Sequence, residues 1–162
     1  RTPELAPVPV EAMCQGLAVV LQPDLESAGL SCTWEIAPSA RHVQADYELL
    51  RQALFNLLQN AIEFSPRDQQ VSVLVKSQPD RTAAIQVVDY GPGVAEESVE
   101  SLFTPYFTTR ANGTGLGLAI VRHIATLHGW QTAYRPRDGG GAVFELSGIH
   151  VADPEDHPDR GR

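Results

Sequence analysis

The stretch that decides the fold runs from Asp46 to Phe64 and has the sequence DYELLRQALFNLLQNAIEF. Its apolar residues recur with a helical period, which predicts a helix with one buried face. The predicted core positions are Leu49, Leu50, Ala53, Leu54, Leu57, Leu58, Ala61 and Ile62. Asp46 is the expected N-cap, and Ser65-Pro66 ends the helix because the residue before a proline avoids the α region.

Shorter patterns flank this helix on both sides. On the N-terminal side, Val10 to Ala28 has broadly helical spacing with a weak point at Pro23, and Leu30 to Ile36 alternates as a strand does. On the C-terminal side we predict a hairpin of Val71–Lys76 and Ala83–Val88, a helix over Leu116–His128, and a last hairpin of Gln131–Tyr134 and Ala142–Ser147. Residues 94–113 have no sustained period, and a long irregular loop inside a domain is usually functional.

Composition and charge exclude several classes of protein. The chain has 162 residues, of which 43% are hydrophobic and 20% charged, as is typical of one globular domain. Its 20 acidic residues outnumber 12 Lys and Arg, and the net charge of -8 argues against a general nucleic-acid-binding role. The sequence has no apolar run of the ~18 residues that a membrane span requires, so we expect no membrane insertion. Cys14 and Cys32 lack metal-ligand spacing and indicate a reducing compartment.

The long helix carries a polar stripe made of Gln52, Asn56, Asn60 and Glu63. Asparagine is a poor helix former, and Gln, Lys or Glu would solvate a helix face at a lower cost. Two asparagines one turn apart can direct two amide oxygens at one hard cation. The stripe therefore indicates either a solvated face or a cation site.

Two glycine-rich motifs follow later in the chain. The strand ending in Val88 leads into Asp89-Tyr90-Gly91-Pro92-Gly93, which predicts either an ordinary turn or a carboxylate held where glycines let a ligand approach the backbone. The run Gly113-Thr114-Gly115-Leu116-Gly117-Leu118 opens a helix, where backbone N–H groups and the helix dipole favour a phosphate. The run is neither a P-loop nor a dinucleotide-binding motif.

The order of these motifs is more specific than any one of them. An asparagine-bearing helix is followed by the DxGxG motif, by Phe103 and Phe107 within LFTPYFTTR, and by GTGLGL at a helix start. This order resembles the catalytic and ATP-binding domain of bacterial sensor histidine kinases, in which the four stretches are called the N, G1, F and G2 boxes. The resemblance covers roughly residues 40–147, and the Phe-Thr-Thr-Arg stretch looks most like the nitrogen-regulation branch.

The resemblance implies a fold and domain limits. We expect an α/β fold, specifically a two-layer α/β sandwich with a mixed sheet of about five strands and helices on one face. Residues 1–9 are expected to be an extended lead-in from an absent upstream domain. Residues 10–148 are expected to form the ATP-binding catalytic domain, and residues 149–162 a polar C-terminal tail.

The resemblance also assigns the site residues. Asn60 and Asn56 are expected to hold the Mg²⁺ that bridges the ATP phosphates, and Asp89 is expected to accept a hydrogen bond from the adenine amino group. Phe103 and Phe107 are expected to anchor a mobile lid over residues 95–112, and Arg110 to act on the phosphates. The other expected ATP-binding residues are Phe64, Gly91, Gly93, Thr108, Thr109, Gly113, Thr114, Gly115, Leu116 and Gly117. Glu63 departs from the family, which often has a basic residue there.

The implied function is donation of the γ-phosphoryl group of MgATP to a histidine on a separate dimerisation domain of the same kinase, with a response regulator as an indirect partner. None of the five histidines in this chain has the sequence context of the family's phosphoacceptor. Related ATPases carry a general-base Glu at the position of Asn56, so phosphoryl transfer is favoured over hydrolysis. The alternatives are a non-catalytic nucleotide-sensing module and a hydrolytic ATPase. The isolated domain is expected to be a cytoplasmic monomer.

Overall fold

The computed structural model describes residues 2–107 and 115–154. Its strands are β1 (Ala6–Pro9), β2 (Ser31–Ile36), β3 (His42–Ala45), β4 (Gln70–Gln78), β5 (Thr82–Asp89), β6 (Gln131–Pro136) and β7 (Ala142–His150). Its α-helices are α1 (Val10–Ala28), α2 (Tyr47–Phe64) and α3 (Gly117–His128). Short 3-10 helices cover Pro38–Ala40 and Glu96–Ser101. No helix in this described part of the chain is long and apolar enough to cross a membrane.

The main sheet has five strands in the order β2-β4-β5-β7-β6. Strand β2 runs parallel to β4, and the other neighbours are antiparallel. The sheet is therefore mixed, and the predicted two-layer α/β sandwich is confirmed. Its inner face contributes Val71, Val73, Val75, Ile85, Val87, Phe144 and Leu146 to the hydrophobic core.

Helix α2 covers this inner face in the way its period predicts. All eight predicted apolar positions of the helix are buried. Asp46 is its N-cap, since one carboxylate oxygen accepts from the backbone N–H of Leu49 at 3.1 Å. The chain turns extended at Ser65, with ψ of 137°. The two ends of α2 fix its position along the sheet, so they determine which of Gln52, Asn56, Asn60 and Glu63 lie closest to the end of β5.

Helix α1 is continuous through Pro23, so the expected weak point does not break it. It ends at Gly29, whose φ of 67° is left-handed and whose N–H bonds back to Glu26. Its buried residues, among them Leu17 and Leu21, join the same core as α2.

The structure corrects the expected limits of the folded domain. Strand β1 pairs antiparallel with β3, and Val8 is 1% exposed, so the end of the expected lead-in is part of the fold. At the other end, β7 continues to His150, Val151 pairs with Val43, and Ala152 is buried. The expected tail therefore starts at least four residues too early. The short strand β3 was missed in the sequence.

Candidate functional site

A cavity of about 1120 Å³ opens between α2, the end of β5 and the start of α3. We call it the main cavity. The predicted site residues that line it are Asn56, Asn60, Phe64, Asp89, Gly93, Phe107, Gly115, Leu116 and Gly117. Residues from three separate sequence motifs therefore share one space. The predicted site residues Thr108, Thr109, Arg110, Gly113 and Thr114 lie outside the described residues.

Asp89 is the buried carboxylate of this cavity, with 2% of its surface exposed. It is the last residue of β5, and its Oδ1 accepts a hydrogen bond from the backbone N–H of Gly91 at 2.9 Å. Burial raises the pKa of Asp89, while hydrogen bonds from the backbone of Gly91 and Ala142 act in the opposite direction. A carboxylate held by backbone donors in this way has a fixed direction, and its remaining lone pairs can accept from a ligand.

Gly91 and Gly93 have different roles in the structure. Gly93 lines the main cavity, whereas Gly91 is buried and is not among the described residues that line it. A Cβ on Gly91 would overlap the backbone carbonyl of Phe64 at the end of α2. Gly91 therefore allows the strand end to pack against α2, and it shapes the pocket indirectly.

Asn56 and Asn60 lie one turn apart on α2 and both line the cavity. Asn56 donates from Nδ2 to the backbone carbonyl of Gly117 at 3.3 Å, which ties α2 to the first residue of α3. With its amide nitrogen engaged in this bond, Asn56 keeps Oδ1 as an acceptor. Two neutral amide oxygens on one wall suit a hard cation that is also held by phosphates. Glu63, on the same stripe, is an exposed residue at the cavity wall.

The start of α3 forms another part of the wall of the main cavity. Gly115 has φ of 75°, and a Cβ there would overlap the backbone of Tyr106, whose N–H donates to the Gly115 carbonyl at 2.9 Å. A Cβ on Gly117 would meet no atom of residues 2–107 and 115–154 within 4 Å, so the backbone there is open toward the described residues. In the described part of the chain no side chain caps α3. A helix start of this kind favours an anion through its N–H groups and dipole.

The first part of the expected lid packs onto the domain. Residues Glu96–Ser101 form a 3-10 helix where the sequence indicated only irregular chain. Leu102 is buried, and the Phe103 ring meets Phe144 edge-on at 6.2 Å between centroids. Phe107 lines the cavity. Whether residues 95–112 move as a lid stays a prediction.

Several residues of the cavity were missed in the sequence. Ala142 lines the cavity and pairs with Asp89 in the β5–β7 ladder, and the N–H of Val94, another lining residue, donates to the Tyr134 hydroxyl at 3.1 Å. Arg67 also lines the cavity and donates from Nη1 to the carbonyl of Ser27 at 3.1 Å. Each of these contacts joins residues at least 40 positions apart, so local sequence patterns carry no signal for them.

The described residues fit a magnesium-bound nucleotide. The cavity is lined by a buried acceptor, Asp89, by the amide side chains of Asn56 and Asn60 on α2, and by the start of α3. The side-chain oxygen of Ser65, also at the cavity wall, is buried and has no hydrogen-bond partner among the described residues. Apolar residues such as Ile62 and Phe144 line the same cavity, as a flat heterocycle requires.

Comparison with known proteins agrees with this geometry. The family model "Histidine kinase-, DNA gyrase B-, and HSP90-like ATPase" matches residues 45–151, a range that includes Asn56, Asn60, Asp89 and the glycines of α3. The chain belongs to this family. The match confirms the family expected from the order of the four motifs, while assignment to the nitrogen-regulation branch stays a prediction.

Individual members of this ATPase family are similar over most of the chain. The sensor histidine kinase ZraS of Klebsiella oxytoca is 37% identical over 134 residues, which are 83% of this chain and 29% of that protein. The nucleotide-free catalytic domain of the histidine kinase ThkA has a TM-score of 0.81 and 28% identity, covering 95% of this chain and 99% of that chain. Full-length ShkA, solved in complex with AMPPNP, has a TM-score of 0.83 and 28% identity over 95% of this chain and 33% of its own. The chain thus spans less than a third of the length of ZraS.

Proposed function

We propose that this domain binds MgATP and donates the γ-phosphoryl group to a histidine on a separate dimerisation domain of a two-component sensor kinase. The observation that carries the proposal is the main cavity, in which Asp89, the two asparagines of α2 and the start of α3 face one space. The complex of ShkA with AMPPNP supports a nucleotide as the ligand.

Each group of lining residues has a separate role in this proposal. Asp89 accepts from the adenine amino group, with Phe64 and Gly93 beside the base. Asn60 and Asn56 hold Mg²⁺, which supplies charge neutralisation at the phosphates when it is bound. The backbone at Gly115 and Gly117 approaches the phosphates. Thr108, Thr109, Arg110, Gly113 and Thr114 belong to the same proposed site.

Transfer to an outside acceptor is favoured over hydrolysis by the residue at position 56. A water molecule needs a general base, and the Asn56 amide cannot take a proton. This amide also donates to Gly117, so its place in the site is structural as well. We therefore propose that an upstream dimerisation domain provides the acceptor, that a response regulator receives the phosphoryl group afterwards, and that the isolated domain is a cytoplasmic monomer.

The experiment mixes the chain with its upstream helical domain and γ-labelled ATP. We expect an acid-labile, base-stable phosphohistidine on the partner and no label on the chain itself. Asn60→Ala should abolish labelling, whereas Gln52→Ala, on the same helix but exposed and outside the described cavity lining, should not. ATP binding without labelling of a folded partner would favour the nucleotide-sensing alternative, and steady-state phosphate release would favour a hydrolytic ATPase.

A further inference from the structure

The direction of the Asp89 carboxylate depends on the turn between β6 and β7, which packs against the end of β5. Its backbone donor at 2.9 Å, Gly91, is a close neighbour in the chain. Ala142, the first residue of β7, directly follows the turn of residues 137–141, which joins β6 to β7. Asp89 and Ala142 are partners in the β5–β7 ladder. The turn therefore sets where the start of β7 meets Asp89.

The sequence of this turn does not favour one conformation by itself. Gly139, Gly140 and Gly141 have φ of 88°, 108° and 111°, so all three lie in the region that other residues rarely adopt. Glycine loses more conformational freedom on folding than any other residue, and three in succession need outside contacts to order them. A Cβ on Gly141 would overlap the carbonyl oxygen of Asp89, so the turn touches the strand end directly.

Arg137 supplies the contacts that hold the turn. Its backbone N–H donates to the carbonyl of Gly141 and its Nη1 donates to the carbonyl of Gly140, each at 3.0 Å. Its guanidinium carbon lies 4.1 Å from the centre of the Tyr90 ring, which is a cation–π contact. Since Tyr90 directly follows Asp89, this contact ties the turn to the end of β5.

The Tyr90–Arg137 pair lies outside the main cavity. Successive residues of an extended chain point to opposite faces of a sheet. Asp89 lines the main cavity, whereas Tyr90 and Arg137 both line a depression of about 630 Å³ on the outer face of the sheet. The pair can therefore affect a nucleotide through the position of Asp89 and without touching the nucleotide.

We propose that Tyr90 and Arg137 are positioning residues for base recognition, because together they hold the 137–141 turn against the end of β5, where Ala142 pairs with Asp89 and Gly141 packs on the Asp89 carbonyl. This inference rests on the proposed function, since it requires an adenine at Asp89. Loss of either partner removes a side-chain contact that holds the glycine turn against β5, and the carboxylate then discriminates less well between an adenine amino group and a guanine carbonyl.

The test measures the ratio of the dissociation constants for GDP and ADP by isothermal titration calorimetry. One hydrogen bond corresponds to about a 3- to 10-fold change in affinity, and we expect Arg137→Ala to lower the ratio by that factor. An unfolded fraction weakens the apparent binding of both nucleotides equally, so it leaves the ratio unchanged. Arg135→Ala is the matched control, because it removes the same charge from β6 and breaks a 2.9 Å ion pair with Glu145, away from the turn.

Two variants of Tyr90 separate the ring from the hydroxyl group. Tyr90→Phe keeps a ring for the guanidinium and should keep the wild-type ratio, whereas Tyr90→Leu should lower it as Arg137→Ala does. Wild-type ratios in both Arg137→Ala and Tyr90→Leu, or an equal fall in Arg135→Ala, would overturn the positioning role while the nucleotide site stands. A wild-type chain that binds GDP and ADP equally would overturn this inference together with the adenine assignment.

Discussion

Replacement of Asp89 by asparagine tests the adenine assignment at almost constant side-chain volume. The carboxylate accepts from the backbone N–H of Gly91 at 2.9 Å, and its other lone pairs remain for a ligand. In Asp89→Asn, one oxygen can still accept from the backbone, but the new N–H₂ group can only donate. An adenine amino group would then meet a donor where it needs an acceptor.

The expected loss of affinity follows from the charge of the acceptor. Hydrogen bonds to charged groups contribute about 1.5–3 kcal/mol, which corresponds to roughly a 10- to 150-fold weaker binding of ADP. Binding of GDP should be unchanged or tighter, because an amide can donate to the guanine carbonyl. Isothermal titration calorimetry with both nucleotides measures the change in preference.

The same substitution should not destabilise the unliganded domain. Burial raises the pKa of Asp89 in the folded state, so folding favours the protonated carboxyl. The stabilisation that the protonated Asp89 carboxyl contributes to the free energy of unfolding is fully present below the pKa of Asp89 in the unfolded chain. It is lost as the pH rises through the pKa of Asp89 in the folded domain. Asp89→Asn has no such loss, so it should be at least as stable as wild type at neutral pH. Urea denaturation from about pH 4 to 7 should show this advantage shrinking toward acid pH.

Asp80→Asn is the control for the change in net charge. Asp80 is exposed in the β4–β5 turn with φ of 63°, a conformation that asparagine tolerates well. This variant should bind ADP and GDP as the wild-type chain does. If folded Asp89→Asn binds ADP with wild-type affinity and preference, the carboxylate does not recognise adenine and the reasoning is wrong.

Two further predictions concern Asn60, the proposed metal ligand on α2, and Asp46, the N-cap of the same helix. Asn60→Ala should weaken binding of MgATP far more than binding of metal-free adenosine, because the amide acts through the cation. Calorimetry with both ligands measures the difference, and an equal loss for both would indicate damage to the helix. Asp46→Ala should lower the free energy of unfolding, measured by equilibrium denaturation, by about 1–2 kcal/mol. It removes the cap on the Leu49 N–H and the acceptor for the Glu4 N–H at 2.9 Å. Asp46→Asn can still cap the helix, so its free energy of unfolding should fall by less.

The elements that the sequence predicts well are those whose signal is local. Helix α2 satisfies one period over its whole length, has a capping aspartate and is followed by a proline, so its predicted bounds agree with the structure within one residue. The hairpin of β4 and β5 is similarly marked by β-branched runs around Pro79-Asp80. The family model then confirms what the order of the motifs indicates.

The elements that the sequence does not predict depend on distant partners. Strand β1 contains Pro7 and Pro9, which lack the N–H that a ladder needs, and proline normally argues against a strand. It is ordered because Val8 enters the core opposite Val43. Strand β3 has only four residues, too few for an alternating pattern to stand out. In both cases burial against a remote segment outweighs weak local preference.

The same distinction applies inside the candidate site. The sequence identifies Asp89, Asn56 and Asn60 because their residue types are unusual for their local structure. It leaves open whether Gly91 marks an ordinary turn or the close approach of a ligand, and the structure places the carbonyl of Phe64 against that glycine. A glycine shows that something approaches the backbone, but it does not show whether the neighbour is a ligand or the chain itself. At the end of β5 the neighbour is the chain, since Phe64 packs on one side and the 137–141 turn on the other. The carboxylate between them is thereby held in place before any nucleotide binds.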